Sequence, residues 1–179
     1  EKVDVRFAMC FPDVYEIGMS HLGIQILYSM FNSREDICCE RVYSPWTDLD
    51  PILREKKIPL FTLETQEPVK NFNFLGITLQ YEMCYTNVLQ ILDLSQIPLH
   101  TCDRTENDPI VIGGGPAHTI RNRWLTFLTC FISERAKPYI LSLWTATRRI
   151  RRPAAPESSF WKWRRRYRAS MCLLFMMCL

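Results

Sequence analysis

Phe74-Leu75-Gly76-Ile77-Thr78-Leu79 decides the fold. Six residues without a charge, rich in branched side chains, read as a strand buried on both faces of a parallel sheet. Ile110-Val111-Ile112 reads the same way and runs into Gly113-Gly114-Gly115-Pro116 as the last strand. Upstream, Val3 to Phe11 is a strand ending at Pro12, and Cys38 to Tyr43 is another. One of the adjacent Cys38 and Cys39 is expected in the core and the other at the surface. Pro59 to Leu63 is expected to be a short strand.

Helices alternate with these strands. Ser20 suits an N-cap, because its hydroxyl can accept a free N–H of the first turn. Leu22, Ile26 and Met30, with Leu27 beside them, form the expected inward stripe of the following helix. Asp48 to Lys57 is a short helix with Leu49, Ile52 and Leu53 inward. Asn87 to Leu94 is helical, with Val88, Ile91 and Leu92 at i, i+3 and i+4. The alternation predicts an α/β fold, a Rossmann-like (flavodoxin-like) doubly wound parallel sheet, followed by a poorly ordered tail. Ligands of such sheets bind beyond the carboxyl ends of the strands. Three loops fall there: Asp13 to Gly18, Thr78 to Glu82 and Gly113 to Pro116.

The chain of 179 residues is 47% hydrophobic, enough to bury a core. No apolar run is long enough to span a membrane, and no leader precedes Glu1, so a cytoplasmic location is the default. The first residue is not Met, which suggests a fragment. The eight cysteines include no CxxC pair and read as free thiols in a reducing compartment.

Charge divides the chain. Residues 1–116 hold nine Lys and Arg against seventeen Asp and Glu, whereas residues 117–179 hold thirteen against two. After Pro116 Arg and Trp recur without a period, as in Arg148 to Arg152 and Trp161 to Arg166. A basic aromatic tail of this kind can contact phosphates and stack on bases. Codon arithmetic favours another origin. Reverse-translated from Pro116 and read one nucleotide out of step, the tail yields strings such as DFFDLFYIGEGEA, with acidic balance and helix periodicity restored. Residues 1–116 are therefore taken as one domain, incomplete at its C-terminal end. Residues 117–179 are taken as an out-of-frame basic tail, so nucleic acid is not the expected partner. Genomic DNA across the codons of Gly115 and Pro116, read in three frames, decides this.

The stretch Phe11-Pro12-Asp13-Val14-Tyr15-Glu16-Ile17-Gly18-Met19-Ser20-His21-Leu22-Gly23 resembles the N-terminus of a family of uncharacterised radical-SAM proteins. So do Pro59 to Thr65, Leu79 to Glu82, Asp103 to Ile112 and Gly114-Gly115-Pro116. In that family a cobalamin-binding-type (B12-binding) domain precedes a radical-SAM barrel. The resemblance implies an enzyme that uses a [4Fe–4S] cluster and S-adenosylmethionine for radical chemistry, with methyl transfer from cobalamin as one form. The cluster requires three cysteines. These would lie in the downstream barrel, which is the implied partner, so this chain alone is expected to be non-catalytic.

Cobalamin domains of related fold use a DxHxxG loop, a hydroxyl residue at a later strand end and a Gly-Gly turn. Carried onto this sequence, these positions are Asp13, Tyr15 and Gly18, then Thr78, then Gly113, Gly114 and Gly115. Tyr15 stands where the axial histidine would be, and a phenol with a pKa of about 10 ligates cobalt poorly at neutral pH. Two readings stay open: cobalamin held without a protein imidazole, or a domain that kept the fold as a docking module and lost the cofactor. His21 reads as a helix-surface or substrate-facing residue rather than a metal ligand, His100 as strand or loop structure, and Asp103 to Asp108 as a solvated turn. Tyr81 and Glu82 are candidates to line the ligand crevice.

Overall fold

The computed structural model describes residues 3–115 and 126–132. Five strands form one sheet: β1 (Val5–Phe11), β2 (Ile37–Tyr43), β3 (Phe74–Thr78), β4 (Ile110–Gly114) and β5 (Cys130–Ile132). Their order is β2-β1-β3-β4-β5 and every neighbouring pair is parallel. This is the flavodoxin-like order, in which the connections leave β1 and β3 in opposite directions. The helices are α1 (Tyr15–Gly18), α2 (Leu22–Asn32), α3 (Leu49–Glu55) and α4 (Tyr85–Leu94).

The pleat sorts the core into two halves, because successive side chains leave opposite faces of a strand. Val5, Phe7, Met9 and Phe11 of β1 pack with Ile24 and Phe31 of α2. Phe7 stacks between Phe31 and Phe74, at 4.8 and 5.9 Å between ring centroids. Ala8 and Cys10 face the other way, onto Leu53 of α3 and Val88, Ile91 and Leu92 of α4. The expected facing of α4 is confirmed, since all three of those side chains are fully buried. Cys39 is buried and Cys38 half-buried, as alternation predicts.

Several expectations are corrected. The N-cap of α2 is His21, not Ser20: its Nδ1 accepts from the Ile24 N–H at 3.3 Å. The stripe of α2 is rotated, with Leu22 and Ile26 more than half exposed and Ile24 and Phe31 buried. In α3 only Leu53 is buried, while Leu49 and Ile52 face out. Pro59 to Leu63 is not a sheet strand. The Thr62 N–H donates to the Glu67 carbonyl and the Val69 N–H to the Leu60 carbonyl, so the segment folds back on itself, with a single antiparallel bridge between Phe61 and Pro68. The polar turn before β4 is partly interior: Asp108 is buried and accepts from the Thr105 N–H and hydroxyl.

Gly113 does not end the sheet, because β5 follows. The preceding residues are clamped in place. The Arg104 guanidinium is buried and donates to the carbonyls of Pro98, Leu99 and Phe127. The Thr129 N–H donates to the Val111 carbonyl, and Leu128 is buried over β4. Within the stretch expected to be a poorly ordered tail, Cys130–Ile132 thus form a strand of the sheet, and 126–129 lead into it. His118, Arg148 to Arg152 and Trp161 to Arg166 lie outside the described residues.

Buried Glu40 of β2 pins the fold-back segment. It accepts from the hydroxyls of Thr62 and Thr65, each at 2.6 Å, and pairs with Arg6 of β1 at 3.2 Å. Helices α3 and α4 each end with a residue in the left-handed region, Lys57 at φ 53° and Gln96 at φ 55°. Among the described residues, no helix is long and apolar enough to cross a membrane.

Candidate functional site at the carboxyl edge

The three loops singled out in the sequence meet at one edge, because β1, β3 and β4 are adjacent and parallel. The Thr78 hydroxyl donates to the Cys10 carbonyl at 3.3 Å, tying β3 to β1. The Leu79 N–H donates to the Gly114 carbonyl at 2.6 Å, tying β3 to β4. Asn87 donates to the Pro12 carbonyl at 2.9 Å. The Tyr81 hydroxyl donates to Asp13 Oδ2 at 2.6 Å, and the Val14 N–H to its Oδ1 at 2.8 Å. The hydrogen bond to Asp13 is the main reason that the Tyr81 phenol is pushed up to about 12. Asp13 is therefore a latch between two loops.

Tyr15 is 44% exposed and stands edge-on to Tyr43, 5.2 Å between ring centroids. Gly18 is needed for packing, since a Cβ there would sit 2.5 Å from the Tyr43 ring and 2.8 Å from Phe11. Gly113 clears space for Leu128, whose side chain a Cβ would overlap. Gly115, at φ 138°, lies against the backbone of Leu79, where any other residue would collide.

These facts test the implied cofactor against the residues present. The first loop carries no histidine, so a corrin here would lack a protein imidazole below the cobalt. His21 spends its Nδ1 on the helix cap and leans on Phe11, at 5.1 Å between ring centroids. Of the small residues expected to clear a path for a cofactor tail, Gly18 is filled by aromatic rings, Gly113 by Leu128 and Gly115 by backbone. Asp13 and Thr78 are both bonded within the protein. The set does not fit cobalamin. His100, the other imidazole described, stacks on Phe127. Among the described residues no group of three or more His, Cys, Asp or Glu is placed to hold a metal ion.

A cavity of about 400 Å³ opens beside Asp13, between the loops after β1 and β2 and helices α3 and α4. Ser44, Trp46, Asp50, Asn87 and Gln90 line it with Asp13. The Ser44 hydroxyl donates to Gln90, which in turn donates to Asp50. Hydrogen bonds from Gln90 and Arg54 hold the Asp50 carboxyl below its ordinary range, against a smaller cost of burial. Sequence reasoning named Asp13 and Tyr81 for this region and missed the rest. Trp46, between Pro45 and Thr47 after a strand, was the available signal.

A family described as radical-SAM proteins, N-terminal, matches residues 23–163. An uncharacterised protein of Methanocaldococcus jannaschii is 25% identical over 117 residues, which are 64% of this chain and 20% of that protein. The chain thus spans about one fifth of the length of that relative. With the family match covering most of its residues, this chain belongs to the N-terminal domain family of radical-SAM proteins.

Proposed function

We propose that the chain is a non-catalytic docking module of a radical-SAM enzyme, built on a cobalamin-domain fold from which the cofactor has been lost. The [4Fe–4S] cluster and S-adenosylmethionine belong to the downstream barrel of the parent chain. There they would supply the radical chemistry, and this domain supplies a surface. The observation that carries this reading is the filling of the glycine positions at the carboxyl edge by the protein's own atoms, above all Gly113 by Leu128. Radical-SAM membership supports the parent activity.

The test is a titration of the chain with hydroxocobalamin, followed by gel filtration. The expected result is an unchanged visible spectrum and no cobalamin eluting with the protein. A shifted spectrum with stoichiometric co-elution would restore the corrin-binding reading. It would then be assigned to this edge if Asp13→Asn weakened it while the far-ultraviolet circular dichroism stayed unchanged.

A further inference from the structure

We infer that the carboxyl edge of the sheet is the docking face for the downstream part of the parent chain, which meets it with an apolar surface carrying basic side chains. The inference rests on the docking reading above and adds the surface and the chemistry of its partner.

Six exposed apolar side chains lie in the loops beyond β2, β1 and β3. Tyr15, Ile17, Met19, Trp46, Tyr81 and Met83 are 44, 55, 43, 61, 40 and 83% exposed. These strands are neighbours, so the side chains share one end of the molecule. The hydrogen bond from Tyr81 to Asp13 and the contact of Tyr15 with Tyr43 hold the loops together. The opposite edge is more polar, with Asp4, Glu35, Asn71 and Asn107 exposed beside Ile58 and Leu99. Solvated loops have no need of such apolar side chains, and a contiguous apolar patch rimmed by polar groups marks an interaction surface.

Three observations choose the occupant. The matched relative carries about four fifths of its length outside the matched region. The family is defined by its place before the remainder of radical-SAM proteins. Charge argues against a second copy of this chain: the loops of this edge expose Glu16, Asp48 and Glu82 and carry no Lys or Arg, so two such faces repel. Around the exposed Trp46 indole this edge also exposes the carboxylates of Glu16, Asp48 and Glu82. Carboxylates and an indole face together suit an ammonium or guanidinium group. The partner surface is thus apolar with basic side chains.

Amide exchange read by mass spectrometry, comparing the full parent chain with residues 1–179, tests this. Peptides covering residues 14–19, 44–48 and 80–84 should exchange about tenfold more slowly in the parent, as expected for loops covered by a neighbouring domain. Trp46→Glu and Met83→Glu alter exposed side chains. In the parent they should return those peptides to the rate of the isolated chain. Protection confined to another face would overturn the surface while leaving the docking reading intact. No protection anywhere on the domain would overturn both. Sedimentation of the isolated chain as a dimer, abolished by the same substitutions, would assign the face to a second copy and overturn the partner proposed.

Discussion

A hydrogen bond between side chains 68 positions apart holds the carboxyl edge together. The Tyr81 phenol gives its proton to Asp13, and this bond is the chief cause of its displacement to about 12. The sign follows from the raised value. The bond contributes stability below the ordinary tyrosine range and is lost as pH rises from about 10 through about 12. Asp13→Asn should bring Tyr81 back toward about 10, read as the tyrosinate absorbance that Tyr81→Phe removes. Because the phenol is 40% exposed, Tyr81→Phe should cost no more than about 1 kcal/mol at neutral pH. Asp13 itself stood out in the sequence, placed by its spacing to Gly18. Tyr81 was legible as a crevice residue, but its pairing with Asp13 was not, since nothing local in a chain pairs positions so far apart.

Elements show where periodicity suffices and where it fails. Strand β3 was legible because it carries no polar residue before Thr78, and α4 because one apolar face is matched by Asn87, Gln90 and Asp93 elsewhere. Helix α2 misled because it is apolar on both sides: Leu22 and Ile26 make one stripe, while Ile24 and Phe31, seven apart, make the one that is buried. Strand β5 lay beyond the composition break and carried no periodic signal. Its attachment depends on carbonyls gripped by Arg104 and on one apolar notch, neither of which a pattern reveals. That notch can be measured. Gly113→Ala should cost about 1–3 kcal/mol by forcing Leu128 aside. Leu128→Ala should cost about 2–4 kcal/mol through the cavity left. The double substitution should cost clearly less than the two together, because the new methyl occupies part of that cavity. Strict additivity in denaturant unfolding would show that the two sites do not touch.

Over the whole molecule, one ionic network at the sheet edge has consequences for acid stability. Glu40 loses hydration on burial, yet hydrogen bonds from Thr62, Thr65, Arg6 and the Thr65 amide outweigh that cost and lower its pKa. A lowered carboxyl contributes stability above its unfolded value and surrenders it as pH falls through the folded one. Glu40→Ala should therefore cost about 2–3 kcal/mol at neutral pH. The gap from wild type should narrow below about pH 4.5, as the wild-type carboxyl itself becomes protonated. A constant gap down to acid pH in thermal unfolding would mean that Glu40 acts only through packing.

The alternation of β1 carries a further implication. Its odd positions answer to the aromatic stack under α2, and its even positions to the helices opposite or, at Arg6, to the fold-back segment. Lying between β2 and β3, it has no solvent side where a substitution could drift without consequence. An insertion of one residue there would exchange the audiences of every side chain at once and present Arg6 to a ring of phenylalanines. The first strand is thus answerable to two interiors, and a change at almost any of its positions is felt by one of them.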